Sequence, residues 1–295
     1  MQLSFQQVDV FTDEIFYGNP LAVFWTGAHH LSETLMQEVA REMNLSETIF
    51  VTEPPDAKKI YGVRIFTPDQ ELPFAGHPTI GGFYVLRSQG LVDNHGVQRS
   101  GAGETILAVD EQNVIWFNPP SGKVMEVSGS FERLAHVLRI DVSRISQNTP
   151  PAMAGTGLMQ LMVPLKEDVV REVNPDREQL SVLLKEWNAN GVYVLAQTGP
   201  AEYHARFFGA GNGAVEDPAT GSAAAAWGTY LLQTTGATSI SRLKIRQGEE
   251  MLRPSTLWVR LNAQHPGSLE IGGNVVRVSS GILTIPKGVL SREPK

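Results

Sequence analysis

Two stretches of the chain, "ELPFAGHPTIGGFYVL" (71–86) and "EDPATGSAAAAWGTYL" (216–231), align with each other without a gap. Glu71 falls on Glu216, and Gly76 falls on Gly221. Upstream of them, "RIF" (64–66) resembles "RFF" (206–208). Each copy predicts a strand, a glycine-bearing loop and a helix, so the repeat predicts a chain of two similar halves. Chance similarity of small residues is the alternative to duplication.

The two repeated helices have almost no polar face, which predicts that each is buried on all sides. The first turn of a buried helix still has N–H groups without an intrahelical partner, and these donors form an anion site. Gly76 and Gly221 allow a ligand to approach the backbone closely. His77 and Ser222 are predicted at the N-cap positions, with Pro78 at the first helical position. Two such helix ends facing each other across a cleft between the halves would bind a small carboxylate.

Outside the repeat, short runs rich in Val, Ile and aromatic residues predict strands, and turn clusters separate them. The strands outnumber the helices and do not alternate strictly with them, which favours an α+β class with mostly antiparallel sheets. The helices are predicted at 32–43, from Pro78, at 131–140, at 177–187 and from Ser222. The halves are predicted at 1–118, completed by the tail from about 281 to 295, and at 119–280.

The composition excludes several functional classes. The chain has 295 residues, of which 42% are hydrophobic and 19% charged, so a packed core is expected. A net charge of −7 without a dense Lys/Arg run argues against a nucleic-acid partner. No signal peptide or membrane span is indicated, which predicts a cytoplasmic protein without a membrane partner. The absence of cysteine excludes disulfides, thiolate metal sites and cysteine acid–base chemistry.

Three titratable residues are the candidate catalytic groups. Asp217 lies in the second repeated loop, and Glu47 lies in "NLSETIF" (44–50) beside apolar residues that would partly desolvate it. With His77, they would suffice for proton transfer between carbon atoms. Structural alternatives remain open: Glu47 as a partner at a helix–strand junction, His77 and Ser222 as helix caps only, and Asp217 as a turn former before Pro218.

Two other patterns do not predict a cofactor. The pair His29-His30 has no Asp, Glu or His nearby at ligand spacing, so it is interpreted as a loop and no metal is expected. The run "GAGNG" (209–213) does not have the spacing G-x-G-x-x-G, and the acidic residues after it would repel a pyrophosphate. No cofactor is therefore predicted.

Several motifs together resemble the phenazine-biosynthesis PhzF-like isomerase family. They are "VDVFTDEIFYGNPLAVF" (8–24), "NLSETIFV" (44–51), "RIFTPDQELPFAGHPTIG" (64–81), "EDPATGSAAAA" (216–226), "QGEEMLRPSTLWV" (247–259) and "IGGNVV" (271–276). The resemblance implies the diaminopimelate-epimerase-like fold, in which each half is a mostly antiparallel, barrel-like sheet around a central helix. It also implies a cofactor-free homodimer with its active site between the halves.

The resemblance carries residue roles to matching positions. The glutamate of the S-E-T motif corresponds to Glu47, the histidine of G-H-P to His77 and the aspartate of E-D-P to Asp217. Substrate-binding positions are Ser46, Gly76, Gly221 and Ser222. Relatives that epimerise amino acids use two cysteines, which this chain lacks. Family members commonly carry proline after the R-x-F strand, whereas Gly209 stands here, which puts the substrate in doubt.

The hypothesis is an isomerase in which Glu47 moves a proton between carbons of a small, unsaturated, cyclic carboxylic acid. The case that defines the family is trans-2,3-dihydro-3-hydroxyanthranilate. The alternatives are a non-catalytic protein that binds a small anion, and a lyase or epimerase that uses the same acid–base groups.

Overall fold

The computed structural model describes residues 1–26, 31–127, 129–166, 169–210, 215–234, 239–262 and 268–286. They contain five α-helices and 18 β-strands, so the predicted α+β class is confirmed. The chain divides into two compact units, one of Met1–Phe117 with Gly272–Lys295 and one of Asn118–Ile271. No helix in the described ranges has the length and apolar character needed to cross a bilayer.

The first unit contains two helices and nine strands. The helices are α1 (Glu33–Met43) and α2 (Gly76–Ser88). The strands are β1 (Gln2–Val10), β2 (Asn19–Trp25), β3 (Glu47–Glu53), β4 (Ile60–Phe66), β5 (Glu71–Leu72), β6 (His95–Ser100), β7 (Gly103–Val109), β8 (Ile115–Phe117) and β18 (Val275–Thr284).

The second unit contains three helices and the remaining strands. The helices are α3 (Phe131–Leu138), α4 (Arg177–Glu186) and α5 (Gly221–Thr234). The strands are β9 (Lys123–Glu126), β10 (Ala152–Gly155), β11 (Gln160–Leu165), β12 (Gly191–Gly199), β13 (Glu202–Gly209), β14 (Glu216–Asp217), β15 (Ser239–Gln247), β16 (Ser255–Asn262) and β17 (Ser268–Gly273), which crosses the unit boundary in sequence.

Strand pairing repeats from one unit to the other. In the first unit, β18–β1–β2 is antiparallel, β2–β3 is parallel, β3–β4–β5 is antiparallel, β4–β6 is parallel and β6–β7 is antiparallel. The second unit has the same sequence of pairings in β9–β10–β11, β11–β12, β12–β13–β14, β13–β15 and β15–β16. The predicted internal repeat is therefore confirmed. Antiparallel pairs predominate, but two parallel pairings in each unit make the sheets mixed.

The repeated hairpin is held in the same way in both units. In the first unit Arg64 pairs with Glu71 and its guanidinium lies 5.2 Å from the ring centroid of Phe66. In the second, Arg206 Nε lies 2.8 Å from Glu216 Oε1, and its guanidinium lies 5.0 Å from the ring of Phe208. The R-x-F match with its following glutamate thus has the same structural role in both units. The arginine stacks on the phenylalanine ring and pairs with the glutamate of the next strand.

The helices α2 and α5 are the buried centres of their own units. Helix α2 contacts β1, β2, β3, β6, β8 and β18, and α5 contacts β9, β10, β11 and β16. Glycine permits this close packing, because a Cβ at Gly81 would lie 2.4 Å from Leu21 Cδ2 and one at Gly228 would lie 2.7 Å from Leu269 Cδ1. The prediction was burial on all sides; ten of the 13 residues of α2 and ten of the 14 residues of α5 are buried.

The predicted starts of these two helices are wrong by one or two residues. Helix α2 begins at Gly76 after an N-cap at Ala75, whose carbonyl accepts from both the N–H and the hydroxyl of Thr79. His77 is thus the second helical residue, not the N-cap, and Pro78 is the third. In α5 the carbonyl of Thr220 accepts from the backbone at 223 and 224, so Ser222 is also second in its helix. Pro78 is tolerated in the first turn of α2 because the N–H groups of a first turn have no intrahelical partner.

Candidate active site

Glu47 and His77 meet in the first unit, although 30 residues separate them. Helix α1 ends at Met43, and its C-cap Asn44 takes a left-handed conformation (φ 51°), which turns the chain so that β3 starts at Glu47. His77 enters from the first turn of α2. Its Nε2 lies 3.4 Å from Glu47 Oε2, and the two side chains are 6% and 18% exposed. This places a carboxyl and an imidazole in contact, with the carboxyl still open to a ligand.

The imidazole of His77 is neutral at physiological pH. Burial lowers its pKa from 6.5 to about 3, because a charged ring loses its hydration in the interior. Its Nε2 makes no hydrogen bond to the described residues, so the 3.4 Å approach to Glu47 is a polar contact rather than an aligned bond. The loss of hydration outweighs the attraction of the nearby carboxylate. His77 therefore does not titrate near neutral pH, as an unperturbed histidine would.

Ser46, beside Glu47, is exposed and its hydroxyl contacts Asn19 Oδ1 at 3.4 Å. Asn19 itself is completely buried at the start of β2. Asn19 lies in the motif at 8–24, but no role was predicted for it. A polar residue that opens the otherwise apolar run "NPLAVF" was the signal available for it.

The first turn of α2 adds backbone donors to the same place. Gly76 and His77 are its first two residues, and both are buried. N–H groups at these positions are not used by the helix, and the positive end of the helix dipole favours an anion there. The expected anion-binding character at Gly76 is thus compatible with the observed helix start, even though His77 is not the cap.

In the second unit, Asp217 is held by a group of hydrogen bonds at the start of α5. The hydroxyl of Thr220 donates to Asp217 Oδ2 at 2.5 Å, and Gln247 Nε2 donates to the Asp217 carbonyl at 2.8 Å. Gly221 is buried and Ser222 is partly exposed in the following turn. Thr220 and Gln247 were not predicted.

Arg206 fixes the strand that carries Asp217. Its guanidinium forms two bonds with Glu216, at 2.8 and 3.0 Å, and donates to the carbonyls of Val170 and Val173 at 3.3 and 2.5 Å. Both side chains of the ion pair are only 10% exposed. Because a bidentate pair has a defined geometry, it restrains the residue next to it in the chain.

The two units differ at the position of the candidate acid Glu47. Thr48 pairs with Phe66 in the first unit, and Val192 pairs with Phe208 in the second, which makes Gly191 the equivalent of Glu47. A Cβ at Gly191 would lie 2.3 Å from Phe207 Cζ. The second unit therefore has no room for a side chain at the position where the first unit carries its carboxyl.

The described residues contain no group of three or more His, Asp or Glu side chains arranged to hold a metal ion. The pair His29-His30 and most of the "GAGNG" loop lie outside the described residues.

Glu47 and His77 form a candidate acid–base site, and comparison with known proteins gives the class of the protein. A family model described as "Phenazine biosynthesis-like protein" matches residues 8–281. An uncharacterized isomerase of Pasteurella multocida is 33% identical over 97% of this chain and 95% of its own. The trans-2,3-dihydro-3-hydroxyanthranilate isomerase of Pseudomonas chlororaphis is 31% identical over 94% of this chain and 98% of its own.

A solved structure agrees with these relatives. The PhzF-family phenazine biosynthesis protein of Bacillus anthracis superposes with a TM-score of 0.83 at 26% identity, covering 97% of this chain and all of that one. The protein is thus an isomerase. It belongs to the phenazine biosynthesis-like (PhzC-PhzF) family.

Proposed function

We propose that the protein moves a proton between two carbon atoms of a small, unsaturated, cyclic carboxylic acid, with Glu47 as the general acid and base and without a cofactor. The observation that carries this proposal is the contact of the Glu47 carboxyl with a buried imidazole at 3.4 Å. The relatives named as isomerases of trans-2,3-dihydro-3-hydroxyanthranilate support this compound as the model substrate.

The reaction balances with one carboxyl group. The Glu47 carboxylate removes a proton from a carbon beside the unsaturated system, and the electron pair of the broken C–H bond enters the π system. The double bonds shift, and the protonated Glu47 returns the proton to a distant carbon of the same ligand. No electrons leave the substrate, so no oxidant or reductant takes part.

His77 acts as a neutral group in this proposal. A neutral imidazole beside Glu47 accepts or donates one hydrogen bond and adds no charge, so it does not trap the glutamate as a permanent carboxylate ion pair. That property suits a carboxyl that must be protonated and deprotonated within each turnover.

The remaining candidate residues would bind the substrate or assist the proton transfer. Gly76, Gly221 and Ser222 would bind the substrate carboxylate through first-turn N–H groups and the serine hydroxyl. Ser46 would bind a polar substituent, and Asp217 would shuttle the proton or stabilise protonated states. We also infer that each sheet closes around its helix in a barrel-like manner and that the protein is a homodimer, which sedimentation would measure.

The experiment follows isotope transfer in heavy water with trans-2,3-dihydro-3-hydroxyanthranilate. We expect Glu47→Gln to abolish turnover and deuterium incorporation while ligand binding persists, because the amide cannot exchange a proton at carbon. Glu53→Gln is the matched control, since Glu53 lies at the other end of β3 with a side chain that is 66% exposed. It should behave like the wild type.

Three outcomes separate the alternatives. Turnover retained in Glu47→Gln contradicts the role of Glu47. A wild-type protein that this acid stabilises against heat but does not convert or deuterate supports the anion-binding alternative. A product that has lost mass supports a lyase.

A further inference from the structure

A buried side chain in the second unit makes three hydrogen bonds to the segment that carries Asp217. Gln247, at the end of β15, is completely buried. Its Nε2 donates to the Asp217 carbonyl at 2.8 Å and to Thr220 Oγ1 at 3.0 Å, and its Oε1 accepts from the Thr220 N–H at 3.3 Å. One amide thereby ties together both ends of the turn between β14 and α5.

These bonds determine the direction of the hydroxyl proton of Thr220. The backbone partners set the orientation of the Gln247 amide, because its oxygen must face the Thr220 N–H and its NH₂ must face the Asp217 carbonyl. The NH₂ group can only donate to Thr220 Oγ1, so the single proton of that hydroxyl points to Asp217 Oδ2, at 2.5 Å. One carboxylate oxygen of Asp217 is thus always supplied with a donor.

The fold does not require this arrangement. In the aligned repeat, Leu72 stands in place of Asp217 and Ala75 in place of Thr220. The register of the parallel pairs β4–β6 and β13–β15 places Ser100 in place of Gln247. The same junction folds in the first unit with an alanine N-cap that makes no side-chain hydrogen bond. The three polar residues are therefore additions to a junction that forms without them.

We propose that Thr220 and Gln247 are positioning residues that orient the Asp217 carboxylate and stabilise its charged form. This inference rests on the proposed function, in which Asp217 takes part in proton transfer. Thr220 is the donor to one carboxylate oxygen of Asp217, and Gln247 orients the hydroxyl of that donor.

Other ionisable groups lie on the neighbouring strands β12 and β13 and at their ion pairs. Tyr193 on β12 is fully buried, and its pKa is raised by burial and, to a smaller degree, by the charge of Asp217. Arg206 on β13 is neutralised by its ion pair with Glu216, and Glu250 lies 3.9 Å from the same guanidinium. None of these groups changes in the variants below, so a shift between variants reports the Thr220 hydroxyl.

The test compares Thr220→Val, Thr220→Ser and Gln247→Met in the full chain labelled with ¹³C at the Asp carboxyl carbons. The signal of Asp217 is assigned with Asp217→Asn, and its titration midpoint is measured without substrate. Gln233→Met is the control, because Gln233 is an exposed glutamine that also bridges backbone groups, at Gly122 and Val124.

We expect Thr220→Val to raise the midpoint by about 1 to 2 pH units, the effect of one hydrogen bond to a charged group. Gln247→Met should raise it by less, while Thr220→Ser and Gln233→Met should leave it within about 0.3 unit of the wild type. With trans-2,3-dihydro-3-hydroxyanthranilate, Thr220→Val should lower kcat at least tenfold with little change in KM, and Thr220→Ser should restore it.

The inference and the proposed function fail in different ways. An unchanged midpoint in Thr220→Val, or an equal shift in Thr220→Ser, overturns the positioning role. Full turnover by Asp217→Asn overturns instead the part of Asp217 in the proposed function. Melting temperatures of all variants show whether a loss of activity is a loss of folded protein.

Discussion

His77 should make the protein less stable in acid. Its folded-state pKa is about 3 and its ordinary value is 6.5. Above pH 6.5 the ring is neutral in both the folded and the unfolded chain, and its titration adds nothing. Below pH 6.5 His77 is protonated in the unfolded chain but stays neutral in the folded chain. The free energy of unfolding therefore falls by up to about 1.4 kcal/mol per pH unit. Between pH 7.5 and 4.5 the loss should amount to about 3 kcal/mol.

The assay is urea unfolding of the wild type and of His77→Asn at pH 7.5, 6.5, 5.5 and 4.5. All other titrating groups are shared, so the difference in unfolding free energy isolates His77. We expect the unfolding free energy of the wild type to fall by about 3 kcal/mol relative to that of the variant from pH 7.5 to pH 4.5. In ¹⁵N spectra the imidazole of the folded wild type should remain neutral down to pH 5.

A result of opposite sign would refute this reasoning. If the carboxylate of Glu47, 3.4 Å away, kept His77 charged, the folded-state pKa would lie above 6.5. Stability from the pair would then be complete in acid and would be lost as the pH rose through that pKa. If the unfolding free energy of the wild type rose relative to that of His77→Asn as the pH fell, His77 and Glu47 would form an ion pair rather than a neutral contact.

Two further predictions use the repeat and the sheet as internal controls. Arg206→Ala should cost about 3 to 5 kcal/mol of unfolding free energy, because it leaves Glu216 without its partner at a site only 10% exposed. Arg64→Ala, at the equivalent and more exposed position, should cost about 1 kcal/mol or less, and equal costs in urea unfolding would contradict the burial argument. Gly191→Ala should cost about 1 to 3 kcal/mol, since its Cβ would lie 2.3 Å from an aromatic carbon. Gly199→Ala in the same strand, with its nearest neighbour at 3.5 Å, should change the melting temperature little.

Much of the architecture could be predicted because its signals are local. The apolar periodicity of residues 33–43 and the serine before them predicted α1, and Ser32 does accept a hydrogen bond from the Leu35 N–H. The R-x-F and glutamate match predicted the repeat, because one arginine can both cover a ring and bind the next strand. Local composition did not reveal the parallel pairings, which join strands far apart in sequence.

The candidate site was only partly predictable for the same reason. The sequence by itself determined which residues could do acid–base chemistry: with no cysteine, Glu47, His77 and Asp217 were the candidates. Only the tertiary structure decided their states. His77 is neutral because strands from both ends of the chain enclose α2, and Asp217 is aimed by an amide 30 residues further on. Burial and hydrogen-bond direction depend on neighbours that the fold supplies, which no local pattern of residues contains.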